Sequence, residues 1–293
     1  MRTNRMIQRS LLLSLVGPNP PPHLMQWATP WSLQVPQRWQ YNSLPTSNSF
    51  VGPMVNIFSL GEAFIMLGGL DGVLMKKAGF DLVAFDMDGV LVDYRSCWTW
   101  IHDHFSVDNE DALNEFIDGR IDDMEFMRRD IALWKERNPC LCRSDLDSIL
   151  EPLPITDGIA ETVDALRAAG IKTVIITGGI DIVAERIARH YGFDDFLANG
   201  VECDERGRVT GEGVLRVELK NKRAALESFL AKYSVTKERA ASIGDSFIDI
   251  PMFEASGMSI AYNPSDEVVA RKATHVVRSQ NLTAVLPYIL DAK

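Results

Sequence analysis

The chain has 293 residues, 46% of them hydrophobic, enough for one large domain or two modest ones around a sizeable core. Forty acidic against thirty basic side chains leave a formal charge of −10, a field that repels nucleic acid and anionic lipid, so neither is an expected partner. Cys97, Cys140, Cys142 and Cys203 lack both paired CxxC spacing and the density of a disulfide scaffold, which reads as reduced thiols in a cytoplasmic protein.

In chain order, residues 1–74 come first and differ from the rest. Prolines from Pro18 to Pro53, interleaved with Asn and Ser, break any sustained periodicity, the pattern of a disordered leader or of a mis-assigned start. Met75 opens a segment, MKKAGFDLVAFDMDG, that itself reads like an N-terminus. The run Leu11 to Gly17 behind Arg2, Arg5 and Arg9 imitates a secretory signal, but its apolar core is short and no small-residue cleavage site follows. A glycine-rich apolar patch, Phe64 to Met75, is too short to span a bilayer.

From residue 81 short β-branched runs alternate with stretches of helical periodicity, which predicts a parallel sheet covered by helices, an α/β fold. Strands are expected at Asp81 to Phe85, Ile171 to Ile176, Ala241 to Gly244, Met258 to Ala261 and His275 to Val277. Helices are expected at Ile159 to Ala169, Ile180 to Tyr191, Lys220 to Lys232 and Ile248 to Ala255. Residues 94–154 have helical spacing and almost no β signal, and are too long for a crossover. They predict a helical insertion into a core made of residues 75–93 and 155–293. Leu197 to Val217, with turns at Asn199-Gly200 and Glu205-Arg206-Gly207, predicts a β-hairpin flap. Trp98, Trp100 and Trp134 read as core residues, and no role is expected for His102 or His104.

The residues suited to chemistry sit at strand ends. Asp86 and Asp88 follow the first apolar run; carboxylates so close raise each other's pKa unless a cation joins them, and the C-terminal edge of a parallel sheet is where α/β proteins bind ligands. The second strand runs into Thr177-Gly178-Gly179, a hydroxyl and two glycine N–H groups at a strand-to-helix turn that can cradle phosphate. Lys220-Asn221-Lys222 enters a helix, where a lysine can neutralise phosphoryl oxygens. Asp245 and Asp249 follow another strand. Taken singly, each has a plainer reading: a turn or calcium loop for DxDG, a solvated basic face for the lysines, helix capping for Thr177, Asp245 and Asp249.

The order DxDG, TGG, lysine, GDSxxD across Asp81 to Leu290 resembles the haloacid dehalogenase-like superfamily. The helical insertion, the TGG-Ile-Asp turn, the NGV to GRVTGEG hairpin and the NK-start helix are most similar to its phosphoserine phosphatase branch. The resemblance implies a doubly wound, Rossmann-like core with an inserted helical cap. It also implies a nucleophile, Asp86, and a general acid and base, Asp88. Thr177, Gly178, Gly179 and Lys222 would bind the phosphoryl group, with Lys222 preferred to Lys220 on spacing. Mg2+ would be held by Asp86, Asp245 and the backbone carbonyl of Asp88, with Asp249 supporting that shell. The partner would be a small phosphorylated metabolite, phosphoserine first, which would place the enzyme in serine biosynthesis; a homodimer is left open.

Three departures bear on the substrate. Arg95 stands where the branch has a glutamate for the substrate's amino group, and Asp130 where it has an arginine, although Arg128 and Arg129 adjoin it. Ile248 replaces an asparagine. Arg95 and Arg128 are therefore the candidate cap residues, and a cationic Arg95 favours a second anionic group on the substrate. A more anionic or sugar phosphate, a phosphotransferase or phosphomutase, and a catalytically silent phosphometabolite-binding module are the competing readings.

Overall fold

A computed structural model describes residues 79–292; the expected leader and the Phe64 to Met75 patch lie outside the described residues. The fold is organised by β1 (Leu82–Phe85), whose four apolar residues are all buried because a neighbour flanks it on each side. β2 (Lys172–Ile180) and β5 (Ala240–Gly244) pair with it in parallel, with Ala84 opposite Val174 on one side and Ser242 on the other. β3 (Asp195–Cys203) and β4 (Val209–Val214) extend one edge, and β6 (Met258–Tyr262) and β7 (His275–Val277) the other. The resulting seven-stranded sheet has the order β4-β3-β2-β1-β5-β6-β7.

Successive side chains of β1 point to opposite faces and so feed two cores. Val83 and Phe85 pack with Ile159 and Val163 of α5 (Ile159–Ala168) and Val183 and Ile187 of α6 (Asp181–Tyr191). Leu82 and Ala84 pack with Leu226 and Phe229 of α7 (Lys222–Tyr233) and Met252 of α8 (Ile250–Glu254). Helices on both faces of a mainly parallel sheet make this the doubly wound α/β class that the alternation predicts.

The cap between β1 and α5 consists of α1 (Cys97–Phe105), α2 (Glu110–Ile117), α3 (Asp123–Arg137) and α4 (Arg143–Leu150). Trp134 of α3 is fully buried; it stacks on Trp98 at 5.3 Å between ring centroids, and its indole N–H donates to His102 Nδ1 at 3.0 Å. Trp98 in turn donates to the Gly178 carbonyl at 3.0 Å, joining the cap to β2.

Two expectations need correction. The expected hairpin forms, with β3 and β4 antiparallel about Asp204 to Arg208, but it continues the sheet edge instead of standing off it as a flap. The first half of β3 pairs in parallel with β2, and only after Asn199 does it turn to pair antiparallel with β4. Asn199-Gly200 therefore lies within a strand. Asn199 is buried because its amide bridges to the backbone of Arg216 and Val217, and the reversal falls at Asp204 to Arg208, where Gly207 takes φ 76°. The helix expected from Ile248 to Ala255 is split into a 3-10 turn, Phe247–Asp249, and α8, with Pro251 in its first turn. Among the described residues no helix is long and apolar enough to cross a membrane.

Trp134→Ala should lower the stability of the whole chain by about 3–5 kcal/mol, the range for truncating a buried aromatic. Denaturant unfolding would show this as a lower midpoint, and an unchanged midpoint would mean that the cap does not share the stability of the core.

Candidate active site

Because β1 lies between β2 and β5, the C-terminal ends of three strands meet at one place on the sheet edge. Asp86 is the first residue beyond β1, its N–H fixed to the Ile243 carbonyl of β5 at 2.8 Å. Thr177 lies in β2, and Asp245 follows β5 directly. Lys222 opens α7, fully buried, and its ammonium lies 2.8 Å from Asp86 Oδ1 and 2.6 Å from Asp249 Oδ1. The second oxygen of Asp249 accepts from the N–H groups of Asp245 and Ser246 at 3.0 and 3.1 Å and from the Ser246 hydroxyl at 3.3 Å. Both oxygens of Asp249 are thus occupied, one by Lys222 and the other in shaping the loop that carries Asp245.

Two glycines permit this crowding. Gly89 takes φ 77°, and a Cβ there would meet Asp245 Oδ2 at 2.4 Å. At Gly179 a Cβ would meet Met87 Cε at 2.5 Å and Asp88 Oδ2 at 2.8 Å. The Thr177 hydroxyl accepts from the Gly179 N–H at 2.9 Å, which sets the turn out of β2.

The electrostatics call for a cation. Oxygens of Asp86, Asp245 and Asp249 lie within 4.8 Å of one another, with a single ammonium among them. Burial and then the charge of Asp249 push the Asp86 carboxyl from its ordinary 3.8 to about 7, against the pull of Lys222. Burial, then Asp249 and Asp86, push Asp245 well above its ordinary value. Burial alone would lower Lys222, but Asp249 and Asp86 more than reverse that and hold it charged. Asp88 is pushed to about 6 by burial, opposed by donors from the backbone and thiol of Cys97. Its Oδ1 is buried with no hydrogen-bond partner among the described residues. An all-oxygen donor set with surplus negative charge fits a hard divalent cation.

From these groups a cavity of about 810 Å³ opens towards the cap. Residues 80–257 match the family model for haloacid dehalogenase-like hydrolases. The chain belongs to that family. This hydrolase is 28% identical to a phosphoserine phosphatase of Idiomarina loihiensis over 72% of its own length and 94% of the relative's. It is 25% identical to one of Methanocaldococcus jannaschii over 71% and 97%. In fold it resembles a substrate-bound phosphoserine phosphatase complex, with TM-score 0.62 and 24% identity over 72% of this chain and 98% of the other.

The structure brings Asp86, Asp88, Thr177, Gly178, Gly179, Lys222 and Asp245 to the cavity of this hydrolase, with Asp249 directly behind. Arg95 reaches its rim, 3.7 Å from Asp103. Arg128 does not line it: Glu125 and Glu212 hold its guanidinium on the exposed face of α3, at 2.6 and 2.9 Å. Several contributors escaped the sequence reading. Cys97 accepts from the Ile180 N–H at 3.0 Å while donating towards Asp88, a role invisible in a lone cysteine. His102 and Asp130, 3.0 Å apart, both line the cavity; their 28-residue separation hides the pair. Asn199 lines it too, and its resemblance to a turn residue concealed that.

In metal-free buffer, Lys222→Met should cost about 3–5 kcal/mol at neutral pH, the range for removing one member of a buried ion pair. The loss should shrink in acid, as the carboxylates left behind take up protons. Unfolding measured at pH 5 and 7.5 checks this, and an equal loss at both would show that Lys222 acts through packing alone.

Proposed function

We propose that this hydrolase is a magnesium-dependent phosphomonoesterase that passes the phosphoryl group through an aspartyl phosphate on Asp86. The observation that carries the reading is the buried Lys222 ammonium held between Asp86 and Asp249, beside Asp245 and on the core side of the cavity. Asp86, Asp245 and the backbone carbonyl of Asp88 would hold Mg2+, and Asp249 would fix the loop of Asp245. The bound ion supplies charge neutralisation at the phosphoryl oxygens.

In the first step a carboxylate oxygen of Asp86 attacks phosphorus while the bond to the alcohol oxygen breaks, and Asp88 gives its proton to that departing oxygen. Lys222, the Thr177 hydroxyl and the turn at Gly178 and Gly179 hold the phosphoryl oxygens. In the second step Asp88, now a carboxylate, takes a proton from water as the water oxygen attacks phosphorus. The bond to Asp86 breaks, releasing inorganic phosphate and the free carboxylate. An Asp88 carboxyl near 6 lies close enough to neutral pH to serve in both directions. Cap closure over the cavity would keep bulk water from the aspartyl phosphate until the alcohol leaves.

Phosphoserine is the first substrate to test, because the curated relatives carry its name. A phosphotransferase would give the same first step but pass the phosphoryl group to an acceptor hydroxyl, and a silent binding module would show no turnover. Phosphate release with Mg2+ from a panel of monoesters should be lost by at least about a thousandfold in Asp86→Asn, since removal of a nucleophile leaves only binding and electrostatic contributions. Activity retained by Asp86→Asn would remove Asp86 from the chemistry.

The metal has a signature in stability as well. The Asp86 carboxyl is raised in the folded state, so the folded chain binds more protons than the unfolded one between pH 3.8 and about 7. Metal-free protein therefore loses stability as pH rises through that window. Mg2+ should raise Tm by more at pH 8 than at pH 5; an equal rise, or none, would place the ion elsewhere.

A further inference from the structure

The part of the cavity beyond the phosphoryl site shows what the site would release. Its cap wall is built from Leu113, Phe116, Ile117, Phe126 and Met127 of α2 and α3, and Leu219 closes it from the core side. Phe116 and Phe126 stack at 5.2 Å, a rigid apolar surface. At about 810 Å³ the cavity lies in the upper part of the range of about 300–1,000 Å³ that encloses ligands of drug size, far more room than a three-carbon amino acid fills.

The charges on this wall are arranged against a second anion. The cations that line it away from Lys222 are already engaged. Arg95 lies 3.7 Å from Asp103, and Lys272 3.3 Å from Glu254. Lys220 donates to the Phe116 carbonyl and sits 4.3 Å over the Phe116 ring. Against these stand five lining carboxylates: Asp103, Asp108, Glu110, Asp123 and Asp130. Asp130 is 3% exposed and held by His102 and Asn109, while its chain neighbour Arg129 turns to Glu125 and Glu115. A substrate carboxylate or second phosphate entering here would lose its hydration and meet like charge. A sugar could bond to these carboxylates, but the hydroxyls it turned to Leu113, Phe116, Ile117, Phe126 and Met127 would lose their hydration without a partner.

We infer that the alcohol released by this site is bulky and apolar and carries no second anionic group. The inference rests on the phosphomonoesterase reading. It departs from the expectation that Arg95 selects a more anionic substrate, because Arg95 stands half-exposed at the rim with Asp103 3.7 Å away, apart from the buried wall.

The test uses the full chain with Mg2+ and compares kcat/KM for ethyl, n-hexyl and cyclohexyl phosphate with that for phosphoserine, phosphoglycolate and glucose 6-phosphate. The alkyl alcohols leave with similar acidity, so differences among them report binding by the wall. Because one methylene in an apolar pocket is worth about 10–200-fold, n-hexyl phosphate should exceed ethyl phosphate by at least about tenfold, and should exceed phosphoserine. Leu113→Glu should collapse the ratio of hexyl to ethyl towards one. If the esters are cleaved with no preference for chain length, or phosphoserine or phosphoglycolate is preferred, the inference falls and the phosphomonoesterase stands. If no ester is turned over in an Asp86-dependent way, both fall.

Discussion

The structure turns on a buried ammonium. Lys222 is almost wholly inaccessible, yet it bonds two carboxylates that come from different parts of the chain, Asp86 at the end of β1 and Asp249 after β5. An ionised lysine in such a place would be expelled or neutralised without its partners, and the partners would be protonated without it. Each group is therefore tolerable only because the others are present. The sheet order supplies the geometry: β1 at the centre lets residues from β1, β2 and β5 converge without any of the three strands bending towards the others.

A second set of contacts ties the cap to that centre. Cys97, the first residue of α1, accepts from the Ile180 N–H and faces Asp88, and the next residue, Trp98, donates to the Gly178 carbonyl. The start of the cap's first helix is thus bonded to the C-terminal end of β2, beside Asp88. At the far side α3 meets the edge hairpin, where Lys135 donates to the Val209 and Thr210 carbonyls and Arg128 pairs with Glu212. The hairpin had to be part of the sheet for this to work. A free flap could not have offered α3 a fixed row of carbonyls.

What the sequence made legible follows from which forces are local. Central strands buried on both faces must be continuous apolar runs, so β1, β2, β5 and β6 stand out, and the polar residues just beyond three of them mark the edge where the site lies. Asp86, Thr177 and Asp245 were readable for that reason, whereas Lys222, at the start of a helix, was readable only through the resemblance. Arg128 was misleading because Glu125, one turn earlier, shows only a local partner, while Glu212, 84 residues away, completes the pairing that holds the guanidinium outside the cavity. Asn199 looked like a turn because Asn-Gly usually is one; its side chain instead serves as a rung to Arg216 and Val217, a contact set by strand pairing. His102 and Asp130 lie on either side of α2 in the chain, and only the packing of α1 on α3 makes them a pair.

The chain's charge bears on how such a site works. A protein at −10 offers a phosphomonoester no long-range attraction, and the carboxylates along the cap wall add to the repulsion near the mouth. In the proposed mechanism, attraction for the phosphoryl group comes from Lys222, the Thr177 segment and any ion held by the acidic cluster, all on the core side of the cavity. A dianionic head is thus favoured only when fully seated, and the length of the cavity must be crossed first. An apolar tail gains contact along that same length, where a second anion meets only carboxylates and engaged cations. The division between an electrostatic floor and an apolar wall makes the core responsible for the reaction and the cap for the choice of alcohol.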